Sequence, residues 1–255
     1  MAKISVVIAT KNEERNIRDC LESVKWADEI VVVDDESKDR TVEICREYTD
    51  KIFTNDTKGS FHKNKNLGID KASGEWILSL DADERITQEL SREIKDIIGK
   101  PDKLGYYISR KNYFIGKWIK GCGWFPDYII RLFRKGATRW PLEIHDVPKI
   151  EEKHKVGYLR NPMIHMSYTN LEQYFDKFTR YSTKLAQEEY EKGTRITKTN
   201  FLILFIVKPL SWFFRKYFFL RGYIDGFRGF FISVSSALTI FMTYSKLWEM
   251  RRKDL

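Results

Sequence analysis

The run Trp76-Ile-Leu-Ser-Leu-Asp-Ala-Asp83 decides how the 255-residue chain is read. Trp76 to Leu80 form a short apolar run of the kind that makes a buried strand, and the run stops on two carboxylates two residues apart. In an open parallel sheet the chemistry collects just beyond the carboxyl ends of the strands, so Asp81-Ala82-Asp83 stands where a site is expected. Two carboxylates at that spacing make a hard oxygen site for Mg²⁺ or Mn²⁺, ions that complete their shells with water and substrate phosphates. A D-x-D triplet by itself is a weak signal, since acidic loops are common. Its place after a strand is what gives it weight.

The residues upstream supply the rest of such a sheet. Ile4 to Thr10 reads as a first strand and Ile30 to Val33 as a second, which ends in Asp34-Asp35. Between them Ile17, Cys20, Leu21 and Val24 recur at helical spacing, behind a first turn that holds Glu13 and Glu14. A helix around Val42 and Cys45, a strand at Lys51 to Thr54 and a helix ending near Gly74 complete the alternation of a parallel sheet covered by helices, an α/β class. Three strand ends then deliver Thr10-Lys11-Asn12-Glu13, Asp34-Asp35 and Asp81-Ala82-Asp83 to one crevice. No G-x-G-x-x-G follows any of these strands, and no G-x-x-x-x-G-K-[ST] is present, which disfavours a dinucleotide cofactor and an ATPase.

Downstream, Thr87 reads as an N-cap for a helix marked by Leu90, Ile94 and Ile97. Gly105 to Ser167 carries short strands and aromatic loops. Asn170 to Glu191 is the clearest helix, with Leu171, Tyr174, Phe175, Phe178, Tyr181 and Leu185 on one face and Gly193 as its stop. A domain boundary is placed there, giving residues 1–193 and 194–255. From Arg195 onward there are eleven Lys and Arg against three acids, so eight of the formal net charge of +9 lie in the last 61 residues, together with 15 of the 37 aromatic residues. Basic and aromatic groups interleaved in this way suit a membrane interface or a nucleic acid. Gly229 to Tyr244 is free of charge for 16 residues, short of the roughly 20 a spanning helix needs, so interfacial or re-entrant seating is expected. Cys20, Cys45 and Cys122 lack metal-ligand spacing and cannot all pair, so they are expected as reduced core thiols. No signal peptide is expected, because Lys11 and Glu13 interrupt the first apolar run.

Three blocks carry a resemblance: Ile4-Ser-Val-Val-Ile-Ala-Thr-Lys-Asn-Glu-Glu14, Val32-Val-Asp-Asp-Glu-Ser-Lys-Asp-Arg-Thr41, and Ala72-Ser-Gly-Glu-Trp-Ile-Leu-Ser-Leu-Asp-Ala-Asp-Glu84. In this order and spacing they resemble the signature blocks of family 2 glycosyltransferases, inverting enzymes of the GT-A fold, over roughly the first 100 residues. Asp127 to Gly136 with Glu143-Ile-His-Asp146, His165-Met-Ser-Tyr168, and Arg221-Gly-Tyr-Ile-Asp-Gly-Phe-Arg-Gly229 are similar to a bacterial branch that includes lipopolysaccharide core β-1,4-glucosyltransferases. The resemblance implies a Rossmann-like mixed sheet with flanking helices, and the composition of the tail adds a basic, aromatic, helical membrane-associating region.

It also implies roles. Thr10 and Glu13 would border the nucleotide and Asp35 would bind the base edge. Asp83 would be the direct metal ligand, with Asp81 towards the ribose or the metal shell. Lys63 and Lys65 are candidates to meet the base or diphosphate, and Arg131 and Arg134 to face phosphate. The catalytic base is expected between Glu143 and Asp146. Relatives in this branch commonly carry His-Glu where this chain has His145-Asp146, which favours Asp146 and keeps Glu143 as a competitor. The function so implied is transfer of a sugar from a nucleotide sugar, with a lean to uridine diphosphate, onto a hydroxyl of a glycan or glycolipid such as lipopolysaccharide core. It would depend on Mg²⁺ or Mn²⁺ and take place peripherally on the anionic cytoplasmic face of the inner membrane. Transfer to a polyprenyl phosphate, which needs no base, is one alternative. A basic nucleic-acid-binding protein is the other, and it is disfavoured because acidic strand ends cannot grip phosphate.

Overall fold

The computed structural model describes residues 2–57, 61–141 and 147–252. The alternation read from the sequence is present as β1 (Ile4–Thr10), α1 (Ile17–Val24), β2 (Glu29–Asp34), α2 (Thr41–Arg46), β3 (Ile52–Thr54), α3 (Phe61–Lys71) and β4 (Trp76–Asp81). β1 is buried at every position, as befits a central parallel strand with both faces covered. α1 turns Ile17, Cys20, Leu21 and Val24 inward, the stripe its spacing predicts. There follow β5 (Glu84–Arg85), α4 (Gln88–Gly99), β6 (Gly105–Phe114), β7 (Lys117–Trp118), β8 (Tyr128–Arg134), β9 (Val156–Tyr158), β10 (Met163–Tyr168) and α5 (Leu171–Glu191). Thr87 caps α4 by accepting from the Leu90 N–H. Leu90, Ile94 and Ile98 of that helix are buried, and Ile97 is partly buried against the same core.

The strands pair in the order β3-β2-β1-β4-β8-β6-β10-β5, with β7 and β9 on β6. β1 runs parallel to β2 and to β4, while β8 is antiparallel to β4. The order reverses between β1 and β4, and this is the switch point at which an open α/β sheet leaves a crevice. The register puts Ala9 opposite both Val33 and Asp81, so the ends of β1, β2 and β4 are level.

Two compact units are formed, residues 1–110 with 127–165, and 111–126 with 166–255. The first is built on a core that includes Trp76, Leu78, Leu80, Leu132 and Phe133. The second contains α5, which the sequence groups with the catalytic part, together with the whole tail. α5 is capped by the Asn170 side chain and followed by Gly193 in the left-handed region, at φ +76°. Its expected inward face is only partly so. Tyr174, Ser182 and Ala186 are buried, whereas Leu171, Phe175 and Tyr181 are exposed. Small residues on that row let a neighbouring helix approach, and the larger ones are turned outward.

The tail continues with a helical segment, residues 201–219, that comprises a π turn (Ile203–Val207), α6 (Lys208–Phe214) and a second π turn (Arg215–Phe219). A 3₁₀ turn, Gly222–Asp225, leads to α7 (Phe227–Arg252). The 16 uncharged residues thus sit inside a 26-residue helix that by length and composition alone could cross a membrane. All three cysteines are buried and unpaired, as expected of core thiols.

Candidate functional site

The first unit brings the three expected strand ends together. The loops after β1 and β2 are stitched to each other: the Asn12 N–H donates to Ser37 Oγ at 2.8 Å, the Glu13 N–H to Thr41 Oγ1 at 2.8 Å, and the Lys38 N–H to Asn12 Oδ1 at 2.7 Å. Asn12 and Glu36 adopt positive φ, at 53° and 58°, which is the backbone condition for these tight exits. Asp34 turns back to accept from the Ser37 N–H and hydroxyl, which closes the turn after β2.

Asp35 is 1% exposed. One carboxylate oxygen accepts from the Thr57 N–H and hydroxyl at 2.9 and 2.8 Å, and the other faces Lys11 Nζ at 2.9 Å. Burial raises its pKa, but Lys11 and Thr57 outweigh burial and bring it down to about 2. A carboxylate offers about four acceptor positions, so roughly one is left for an N–H donor such as a base edge. The Thr10 hydroxyl beside it is buried with no partner among the described residues, the kind of unmet polar atom that marks functional sites.

At the end of β4 the two aspartates have different surroundings. Asp81 Oδ1 lies 2.5 Å from Lys65 Nζ and its Oδ2 lies 2.5 Å from Arg131 Nη2. Burial opposes ionisation of Asp81, yet Arg131 and Lys65 hold its carboxyl well below the usual carboxylate range. Lys65, expected to reach a base or diphosphate, is itself buried on Asp81, with its ammonium 3.8 Å from the centre of the Trp140 ring. Burial lowers its pKa, Arg131 adds to that, and Asp81 opposes it. Lys63, two residues along α3, is exposed.

Arg131 is 1% exposed and ties Asp81 to Glu84, whose Oε1 is 2.6 Å from the same Nη2. Glu84 in turn accepts from the Asp81 N–H at 3.0 Å. The clamp engages Arg131 through Nη2, while its Nε and Nη1 are buried with no partner among the described residues. Arg134 stands opposite Trp76 at the start of β4, at the other edge of the sheet, so it does not share the crevice. Sequence reading assigned no role to Glu84 or Trp140. Trp140 is held by Asn66 through both its N–H and its carbonyl, and donates its indole N–H to Ser79 Oγ at 3.1 Å.

Asp83 faces His165 Nε2 at 3.4 Å, its side chain 17% exposed. His165 reaches it because β10 pairs with β5, placing His165 opposite Glu84. The Asp83 carboxylate suits Mg²⁺ or Mn²⁺, which take one or two protein ligands and fill the remainder from water and phosphates, and the His165 imidazole favours Mn²⁺ of the two. No group of three or more His, Cys, Asp or Glu among the described residues is arranged to hold a metal ion by itself, and an ion bound mainly through a substrate diphosphate does not need one. Asp81, with both oxygens on cations, is better placed to orient this edge than to give an oxygen to the ion. Glu143, His145 and Asp146, where the base is expected, lie outside the described residues.

A polar cleft of about 670 Å³ opens at the opposite edge, near Lys25, Glu29, Lys51 and Ser73. Of the carboxylates that line it, Glu29 is engaged by Ser5, Lys51 and Ser73.

Comparison with known proteins agrees with this geometry. The sequence model described as glycosyl transferase family 2 matches residues 5–149. An uncharacterised glycosyltransferase of Rickettsia typhi is 31% identical over all of this chain and 89% of its own length. The lipopolysaccharide core biosynthesis glycosyltransferase LpsC of Rhizobium meliloti is 27% identical over 96% of this chain and 92% of its own. Among solved structures, S. aureus TarS 1–349 in complex with UDP superposes with a TM-score of 0.51 at 16% identity, covering 98% of this chain and 92% of that one. Against a longer crystal structure of TarS the TM-score is also 0.51, and the matched region is 47% of that chain.

Proposed function

The chain is a glycosyltransferase of family 2 with the GT-A fold, and on that premise we propose that it is an inverting, metal-dependent enzyme. In this proposal it moves a sugar from a uridine diphosphate sugar to a hydroxyl of an envelope glycan or glycolipid, such as lipopolysaccharide core. The observation that carries the reading is the crevice at the β1/β4 switch point, where Thr10, Asp35 and the Asp81–Asp83 pair stand level at three strand ends. Likeness to LpsC supports an envelope glycan as acceptor, and likeness to TarS, solved with UDP, supports the nucleotide. The basic, aromatic tail supports action at the cytoplasmic face of the plasma membrane, as a peripheral protein on anionic lipid.

The residues divide the reaction among them. Asp35 and the Thr10 hydroxyl bind the nucleoside. Lys65 and Arg131 fix Asp81, and Glu84 fixes the backbone of the same turn, so the D-x-D edge is rigid when the diphosphate arrives. Lys63, exposed on α3, is available to the diphosphate's outer oxygens. Asp83 with His165 would hold the divalent ion, which when bound neutralises charge on the leaving diphosphate. In the single displacement the acceptor oxygen bonds to the anomeric carbon as the carbon–phosphate oxygen bond breaks, and a carboxylate takes the hydroxyl proton. Attack opposite the leaving group inverts the configuration.

Asp146 is proposed as that carboxylate and Glu143 as its competitor. Asp146→Asn should lower kcat about 10²- to 10⁴-fold with donor affinity little changed, read under saturating donor beside Glu143→Gln. A large loss in Glu143→Gln alone would exchange the roles. A loss of no more than a few-fold in both would point to a nucleophile already ionised, such as a polyprenyl phosphate.

A further inference from the structure

We infer that the second unit seats on one leaflet of an anionic membrane through the helical segment 201–219 and the turn that follows it, and that α7 does not cross the bilayer. This rests on the membrane-surface reading above and adds which face is wet by lipid. Of the exposed large hydrophobic residues among those described, 19 of 23 lie between Leu171 and Trp248. Scattered apolar residues on a surface are ordinary, but a concentration of this kind marks an interface.

Within segment 201–219, Leu202, Ile206, Leu210, Phe214 and Phe218 recur every four residues and are each 45–62% exposed. In an α-helix of 3.6 residues per turn such a row would wind around the axis. The two π turns take more residues per turn and offset that drift, so the row stays closer to one line. Phe219 and Phe227, 82% and 79% exposed, extend the row at the turn into α7. Arg195 to Ile224 carries six basic residues and no acid. Lys208 and Lys216 are partly spent on Tyr244 Oη and the Cys122 carbonyl, whereas Arg195, Lys198, Arg215 and Arg221 are exposed. Arg215 stacks over Trp212 at 5.0 Å, a pairing that suits the boundary between acyl chains and phosphates. Apolar row, aromatic boundary and unopposed positive charge on one segment fit anionic lipid.

The packing of α7 argues against a crossing. α5 runs parallel to it over most of its length: Tyr174 Oη meets Ser235 Oγ at 2.6 Å, Lys246 Nζ donates to the Thr179 carbonyl at 2.9 Å and to the Ser182 and Thr183 hydroxyls at 2.8 and 2.7 Å, and Arg251 donates to the Tyr190 carbonyl at 2.8 Å. A bilayer-spanning α7 would draw in Asp176, Lys177, Arg180, Lys184, Glu188 and Glu189 of α5, and charged side chains at mid-bilayer are costly. α7 buries Ile232, Ser233, Ser235, Thr243, Tyr244 and Leu247 within its own unit, while Phe230, Leu238, Phe241 and Trp248 stay exposed.

The test uses the full chain and vesicles of phosphatidylglycerol and phosphatidylcholine. Arg180→Cys and Phe214→Cys are labelled with a membrane-impermeant maleimide before and after vesicle binding, with flotation to confirm that each variant is bound. The native thiols are fully buried or nearly so and give little background. Phe214→Cys should slow about tenfold or more on binding while Arg180→Cys changes by less than about twofold. Slowing of both would put the α5/α7 pair in lipid and overturn the seating while leaving membrane association intact. Unchanged labelling of Phe214→Cys in bound protein would overturn the wedge. Absence of the wild-type chain from the floated fraction would overturn the membrane reading itself.

Discussion

Two aspartates two residues apart, chemically identical, are given different tasks by what surrounds them. Asp81 is closed in by Lys65 and Arg131, and Asp83 opens towards His165. The D-x-D spacing was legible because side chains two apart at a strand end project to the same rim. The clamp was not, because Arg131 and Trp140 come from distant segments and nothing in the local pattern of Tyr128 to Arg134 distinguishes an inward arginine from one at the surface. The stability consequence follows from burial. Glu84 is fully buried and its closest cation is Arg131, with Arg110 at 3.5 Å, and breaking a buried pair from one side typically costs about 3–5 kcal/mol. Arg131→Gln should therefore lower the unfolding free energy in urea by about that amount. Asp83→Asn, at a partly open edge, should stay within about 1 kcal/mol of wild type. Equal small effects in both would mean that the clamp does not hold the site together.

Elements show a similar division. Each parallel strand announces itself by a β-branched apolar run, and α1 and α4 by their stripes, because burial on one face imposes a period. The two- and three-residue strands β5, β7 and β9 have no room for a period and could not be read. The π turns were equally silent, since a shift in backbone hydrogen bonding leaves the apolar composition unchanged. The block Arg221 to Gly229 was noticed only as a resemblance, and the second unit supplies its reason. A Cβ on Gly229 would fall 1.8 Å from the Gly222 carbonyl oxygen, one on Gly121 would fall 2.3 Å from that of Arg221, and the Asp225 carboxylate accepts the Gly121 N–H at 2.7 Å. Three stretches of backbone meet there too closely for a side chain. Gly229→Ala should consequently destabilise the second unit by more than about 2 kcal/mol through forced displacement of backbone, seen as earlier protease cleavage within residues 195–226. Gly99→Ala, with nothing within 4 Å of its Cβ, is the control and should leave both units as they are. Similar resistance in the two variants would contradict the close-packed reading.

For the molecule as a whole, the open sheet and the edge that carries chemistry were legible in the residues, because three strand ends bearing polar residues can only gather where the order of the strands reverses. The sequence did not show how the chain divides, since α5 resembles an ordinary amphipathic helix until α7 is seen lying along it. Nor did it show His165 within reach of Asp83, which depends on a two-residue pairing of β10 with β5. The account's central claim is that Asp83 brings a divalent ion to a nucleotide diphosphate at this edge. Calorimetric titration of UDP into the full chain, with and without Mn²⁺, in wild type and in Asp83→Asn, tests it most directly. Affinity should rise about tenfold or more with Mn²⁺ in the wild type and show no such rise in the variant, whose fold is retained. Equal UDP affinity with and without the ion, or an undiminished Mn²⁺ effect in Asp83→Asn, would contradict the claim.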